Sequence, residues 1–109
     1  MKAGELRKYA LSLPEAIEQP HFDFASFRVR GKIFVTLSPD EAHAHIFVDE
    51  QQRAMALDLA PDCAEPLFWG QKILGVRIAL ASAKPAFVKE LVLNAWTNKA
   101  PKALTRAAV

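Results

Sequence analysis

One hundred and nine residues are enough for one hydrophobic core and too few for two, so the expectation is a single domain over residues 1–109. With 51% hydrophobic and 24% charged residues the composition is that of a globular chain, which excludes disorder, and the apolar runs fall well short of the ~18–20 residues of a membrane span. Fourteen basic against twelve acidic residues leave a net charge of +2, below the electrostatic footprint of a dedicated nucleic-acid binder.

Charges at Glu5, Arg7 and Lys8 interrupt the opening residues, which read as a mature cytoplasmic N-terminus. The spacing of Leu6, Tyr9, Ala10 and Leu13 predicts a helix over 3–13, and PEAIEQP between two prolines reads as a connector with one helical turn. Next comes FDFASFRVRGKIFVTL, residues 22–37, a hairpin in which Phe27 and Val29 alternate with Arg28 and Arg30. Gly31 supplies the positive φ of a two-residue turn, so that Phe27 is expected opposite Phe34.

Ser38-Pro39-Asp40 is a turn signature, and HAHIFV, 43–48, is a strand with Ala44, Ile46 and Val48 on one face. Asp49 and Gln52 have capping-box spacing for a helix that should bury Met55 and Leu59. Residues 61–72 are punctuated by Pro61, Pro66 and Gly70, yet Leu67, Phe68 and Trp69 call for packing over the sheet or a short edge strand. A strand at 73–80 presents Leu74, Val76, Ile78 and Leu80 on one face. Ser82 is the expected cap of a last helix whose buried stripe is Phe87 or Val88, Leu91, Val92 and Ala95, broken at Pro101 and followed by a short tail helix. No internal repeat or linker is evident. The order gives an α+β domain, an antiparallel sheet of about four strands with helices on one face.

LSLPEAIEQPHF, FRVRGKIFVTL and LGVRIAL, with Ala95-Trp96 on the last helix, resemble the MmcQ/YjbR-like family of small bacterial proteins. The resemblance implies a double-wing α+β fold over nearly the whole chain, and the DNA-binding role proposed for that family. Trp96 stands where the family has tyrosine, and Leu74 where it has a tryptophan.

The chemistry-bearing residues point the same way. Arg28, Arg30 and Lys32 gather at the hairpin end, with Lys72 and Arg77 around the later strand, a basic surface able to lie along phosphates; a solvated face whose charges deter edge pairing explains the same residues. His43 and His45 share a strand face, but no third ligand is placed near them, so no metal is expected. One cysteine, Cys63, excludes an intramolecular disulfide and a CxxC motif, and it has no base in sequence reach. GxxxxGK[ST], GxGxxG and GxSxG are absent. The expectation is therefore a non-enzymatic, cofactor-free module that touches duplex DNA through these five cations. The alternative is a protein-interaction or small-ligand module using an apolar surface near Phe68, Trp69 and Trp96.

Overall fold

The computed structural model describes residues 1–107. Helix α1 (Ala3–Ser12) leads into β1 (Ala16–His21), β2 (Phe24–Val29), β3 (Lys32–Leu37) and β4 (His43–Ile46). Helix α2 (Glu50–Leu59), β5 (Ala64–Trp69), β6 (Lys72–Ala79), a 3-10 turn at Leu80–Ser82, α3 (Pro85–Lys99) and α4 (Lys102–Ala107) complete it. The strands form one six-stranded antiparallel sheet in the order β1-β2-β3-β4-β6-β5. The fold class is the α+β arrangement expected, with two more strands than the four anticipated. β1 occupies the stretch read as a connector, where Pro20 fits because an edge strand need not donate at every position. β5 is the other edge, and it tolerates Pro66 for the same reason.

One face of the sheet carries α1, α2 and α3, which touch one another and β1, β3, β4, β5 and β6. The core lies between: Phe27, Val29, Phe34, Val35, Ile46, Val76 and Ile78 from the strands meet Leu6, Ala10, Val88, Leu91, Val92, Ala95 and Trp96 from the helices. Helix α3 buries the stripe predicted for it and adds Trp96, whose indole Nε1–H donates to the Pro14 carbonyl at 3.1 Å. Its N-cap is Lys84, with Pro85 opening the helix; Ser82 falls in the preceding 3-10 turn and caps nothing. Asp49 does cap α2, in a complete capping box with Gln52. That helix buries Ala56, however, while Met55 and Leu59 remain 56% and 73% exposed. The small Ala56 lets the α2 backbone approach the core, which turns its larger neighbours outward along a shallow depression against α3.

The β2–β3 and β5–β6 hairpins are built alike. Val29 pairs with Lys32, Arg28 with Ile33 and Phe27 with Val35, so Phe34 is the extra residue of a bulge and does not face Phe27. Trp69 pairs with Lys72, Phe68 with Ile73 and Leu67 with Gly75, so Leu74 is the extra residue in the same place. A two-residue loop followed by Lys-Ile and a bulge thus occurs twice, a repeat that the sequence hides because the loops are chemically different. Arg30 and Gly31 both have positive φ (50° and 81°), as a type I′ turn requires, whereas in the second loop only Gly70 does (61°), as in type II′. The bulge also takes Leu74 off the face of Val76 and Ile78 and leaves it partly exposed.

Between the hairpins β4 stops at Ile46, and the chain crosses β6 at Gly75. A Cβ there would fall on the Ile46 carbonyl oxygen and within 2.9 Å of Phe47 Cα and Val48 N. Gly75→Ala should therefore lower the denaturant midpoint by more than an average substitution, which costs about 1 kcal/mol. Phe34→Ala, which empties a fully buried site, should cost about 3–5 kcal/mol with an unchanged denaturant slope. An unmoved midpoint in either variant would contradict the packing described.

Candidate functional site

The five cations expected at a basic surface are dispersed. Arg30 is clamped to Glu15 by two hydrogen bonds, Nε to Oε1 at 2.6 Å and Nη2 to Oε2 at 2.9 Å. That guanidinium holds the Glu15 carboxyl below the usual range, and its charge is locally cancelled. Arg77 donates from Nη1 to Glu65 Oε1 at 2.6 Å. Arg28 donates to Ser26 Oγ at 3.0 Å, and that hydroxyl donates to the Gln19 carbonyl at 2.7 Å.

Directly paired residues of antiparallel strands share a face. Lys32 pairs with the core residue Val29 and so lies on the helix side at the sheet end, while Lys72 pairs with Trp69. Arg28 pairs with Ile33, and Arg77 with His45, on the side the helices leave open. The hairpin loops at 30–31 and 70–71 do lie at the same end of the sheet, because β3 and β6 both run antiparallel to β4.

The open face holds a groove of about 500 Å³. Its floor is Thr36 and His45, and its walls are Phe24 and Ile33 on one side and Leu67, Phe68 and Trp69 on the other, with Phe47 and Leu74 at the crossover. Phe22 and His21 close one end. Seven of these eleven residues carry rings and none is acidic. Phe22 and Trp69 are 91% and 75% exposed, and Phe68 is 58% exposed. Phe22 also has φ +56°, a left-handed conformation that a bulky residue seldom adopts, with its ring edge-on to His21 at 4.9 Å. An apolar side chain held strained and in water points to a use other than packing.

Sequence reasoning found Phe68 and Trp69 but missed Phe22, Phe24, Ile33 and Phe47. The signal was present in Phe22 and Phe24, which alternate with Asp23 and precede the core residue Phe27 out of phase. Trp96 has no part in this surface; it is buried beneath the opposite face.

His45, half-buried beside Phe24 with ring centroids 5.4 Å apart, has its pKa lowered, first by burial and then by Arg77 and His43. Cys63 is buried, and burial followed by the neighbouring Asp62 charge raises its thiol pKa, which suppresses the reactive thiolate. Among the described residues no three His, Cys, Asp or Glu side chains gather as a metal site. No described helix is long and apolar enough to cross a membrane.

Comparison with known proteins places these features in a family context. The YjbR family model matches residues 11–98, which include the groove and both hairpins. The crystal structure of Deinococcus radiodurans protein DR2400, whose family-model domain is DUF419, is similar over 97% of this chain and 86% of that one, with a TM-score of 0.77 and 18% identity. At that identity the likeness concerns the fold. No curated protein matches.

A lowered folded-state pKa means that the unfolded chain takes up the His45 proton first as pH falls. The stability from neutral His45 is complete above the unfolded value of about 6.5 and is lost as pH drops through the folded value. Thermal midpoints should therefore fall as pH drops below about 7 in buffers of matched ionic strength. His45→Gln, neutral throughout, should flatten that part of the profile; an equally steep profile in the variant would remove His45 as its source.

Proposed function

For a chain that belongs to the YjbR family, we propose a non-enzymatic binding module whose site is the uncovered groove of the sheet rather than the hairpin tips. The observation that carries this is the groove itself, about 500 Å³ lined by seven rings, of which Phe22, Phe68 and Trp69 are largely in water. That volume lies within the roughly 300–1,000 Å³ of small-molecule sites, and the lining has their mixture of apolar walls and a few polar groups, here Thr36, His21 and His45. Covering the rings on binding supplies about 25 cal/mol per Å² of apolar surface removed from water. The polar floor sets orientation, because an occupant has to present matching groups to Thr36 and His45.

The duplex-DNA reading draws support from the two hairpin loops lying at one end of the sheet, with Lys32 and Lys72 in equivalent register. It draws less from charge, since Arg30 and Arg77 bring their own carboxylates and Lys32 lies on the helix side. Sites of this kind are held together by apolar contact and need no excess of positive charge.

Titration of the ¹⁵N-labelled protein with small aromatic fragments tests the proposal. Amides of Phe24, His45, Phe47 and residues 67–69, with the Trp69 indole N–H, should shift together, while those of residues 30–32 stay in place. Leu67→Glu, which puts a charge in the wall, should abolish the shifts. If fragments leave the groove unmoved and duplex DNA shifts residues 30–32 and 70–72 instead, the hairpin-tip reading replaces this one.

A further inference from the structure

We infer that the occupant of the groove is a single-stranded polynucleotide, its bases stacked on rings of the open sheet face and its phosphates met by Arg28 and Lys72. The inference rests on the groove being the binding site. Three observations carry it. The first is length. Most of the lining residues come from five adjacent strands, β2, β3, β4, β6 and β5. Four steps of about 4.8 Å make the groove roughly 19 Å across, longer than any one base or fragment. Sheets that read single-stranded RNA use comparable faces to stack two or three bases.

The second is the lining. Phe22 at one end and Phe68 and Trp69 at the other are the most exposed of its large side chains, so stacking surfaces are spaced along the groove instead of converging on a closed pocket. Every base has a π-face, and stacking on such rings tolerates any sequence.

The third is charge. No lining residue is acidic, and neither Arg28 nor Lys72 has an ion-pair partner among the described residues. Arg28 pairs with Ile33 in one wall and Lys72 with Trp69 in the other, so one cation stands beside each wall. An apolar face flanked by cations suits a polymer of flat rings joined by anions. An added peptide strand suits the fold poorly, because β1 carries Glu18 and Pro20 and β5 carries Glu65 and Pro66, which obstruct pairing at both sheet edges.

The experiment is fluorescence anisotropy with labelled ten-residue oligothymidylate and oligouridylate and with a ten-base-pair duplex, each at several salt concentrations. Either single strand should bind more tightly than the duplex and quench Trp69 emission. Phe68→Ala combined with Trp69→Ala should weaken single-strand binding at least tenfold; both side chains are exposed, so an unchanged thermal midpoint would certify the fold. Arg28→Ala should flatten the log–log salt slope by about 0.7, the single-strand value per phosphate, whereas Lys89→Ala, on α3, should not. If no single strand binds at low salt while aromatic fragments still shift the groove, the inference is wrong and the groove reading survives. If the duplex binds as well as the single strands and ignores the double variant, both are wrong. If neither nucleic acids nor fragments bind, both fail as well.

Discussion

The open groove depends on a missing Cβ. At Gly75 the backbone from Ile46 to Val48 passes so close over β6 that any side chain would strike it. Because the crossing is allowed, β4 ends after four residues and Phe47 leaves the ladder, though its N–H still reaches the Phe34 carbonyl at 3.1 Å. The strands on either side no longer have a partner between them near the hairpin ends. Each relaxes through a bulge at the matching point, Phe34 in β3 and Leu74 in β6. Bulges bend strands and increase local twist. In β3 the bulge delivers Phe34 to the core, and in β6 it delivers Leu74 to the groove. One glycine thus sets the length of the central strand, the place where the hairpins part and the residues that line the gap.

The two faces of the sheet obey different rules. Beneath the helices the buried side chains of the described residues are apolar, whereas the two buried polar ones, Ser26 and Thr36, pair with each other on the open face, where Ser26 is satisfied by Gln19 and Arg28. On the open face rings stand in water beside histidines and arginines, an arrangement that folding alone does not favour, since antiparallel sheets with one solvated face normally alternate apolar-in with polar-out. His45 shows the difference within one residue. It pairs with Thr36 and Arg77 across the ladder, yet it is buried enough by Phe24 and its neighbours to disfavour its charged form. A neutral floor keeps the groove suited to apolar faces near neutral pH.

How much of this is legible in the sequence depends on whether the signal is local. The Arg30-Gly31 turn, the Asp49–Gln52 capping box and the α3 stripe follow from residue types at fixed spacing, and all three are present. β1 is obscured by its prolines, which suggest a connector until an edge position explains them. The Phe27–Phe34 pairing fails because a bulge is a compromise between strands and leaves no mark in either one. Met55 and Leu59 mislead since periodicity identifies an apolar face without saying that a small residue, Ala56, will be chosen for contact. The groove is the least legible feature. Its lining residues come from all six strands, the β1–β2 turn and the crossover at Phe47, and only the strand order brings them together.

Counting cations misleads at the hairpin for a related physical reason. Arg28, Arg30 and Lys32 alternate along the chain, but a two-residue turn separates them in space: one lies on the open face, one in the loop, and one opposite Val29 on the helix side. Arg30 is held by Glu15, whose own φ of +56° aims the end of α1 back toward the turn. An exposed pair of this kind adds little to stability. What it fixes is position, tying the tip of the β2–β3 hairpin to the segment that also accepts the Trp96 indole at Pro14. One wall of the groove is thereby anchored through its tip to the core. The other wall has no equivalent clamp among the described residues, since Arg77 and Glu65 pair within the β5–β6 hairpin itself. An occupant that bridges the walls therefore meets one surface already placed and one whose tip its own contacts have to fix.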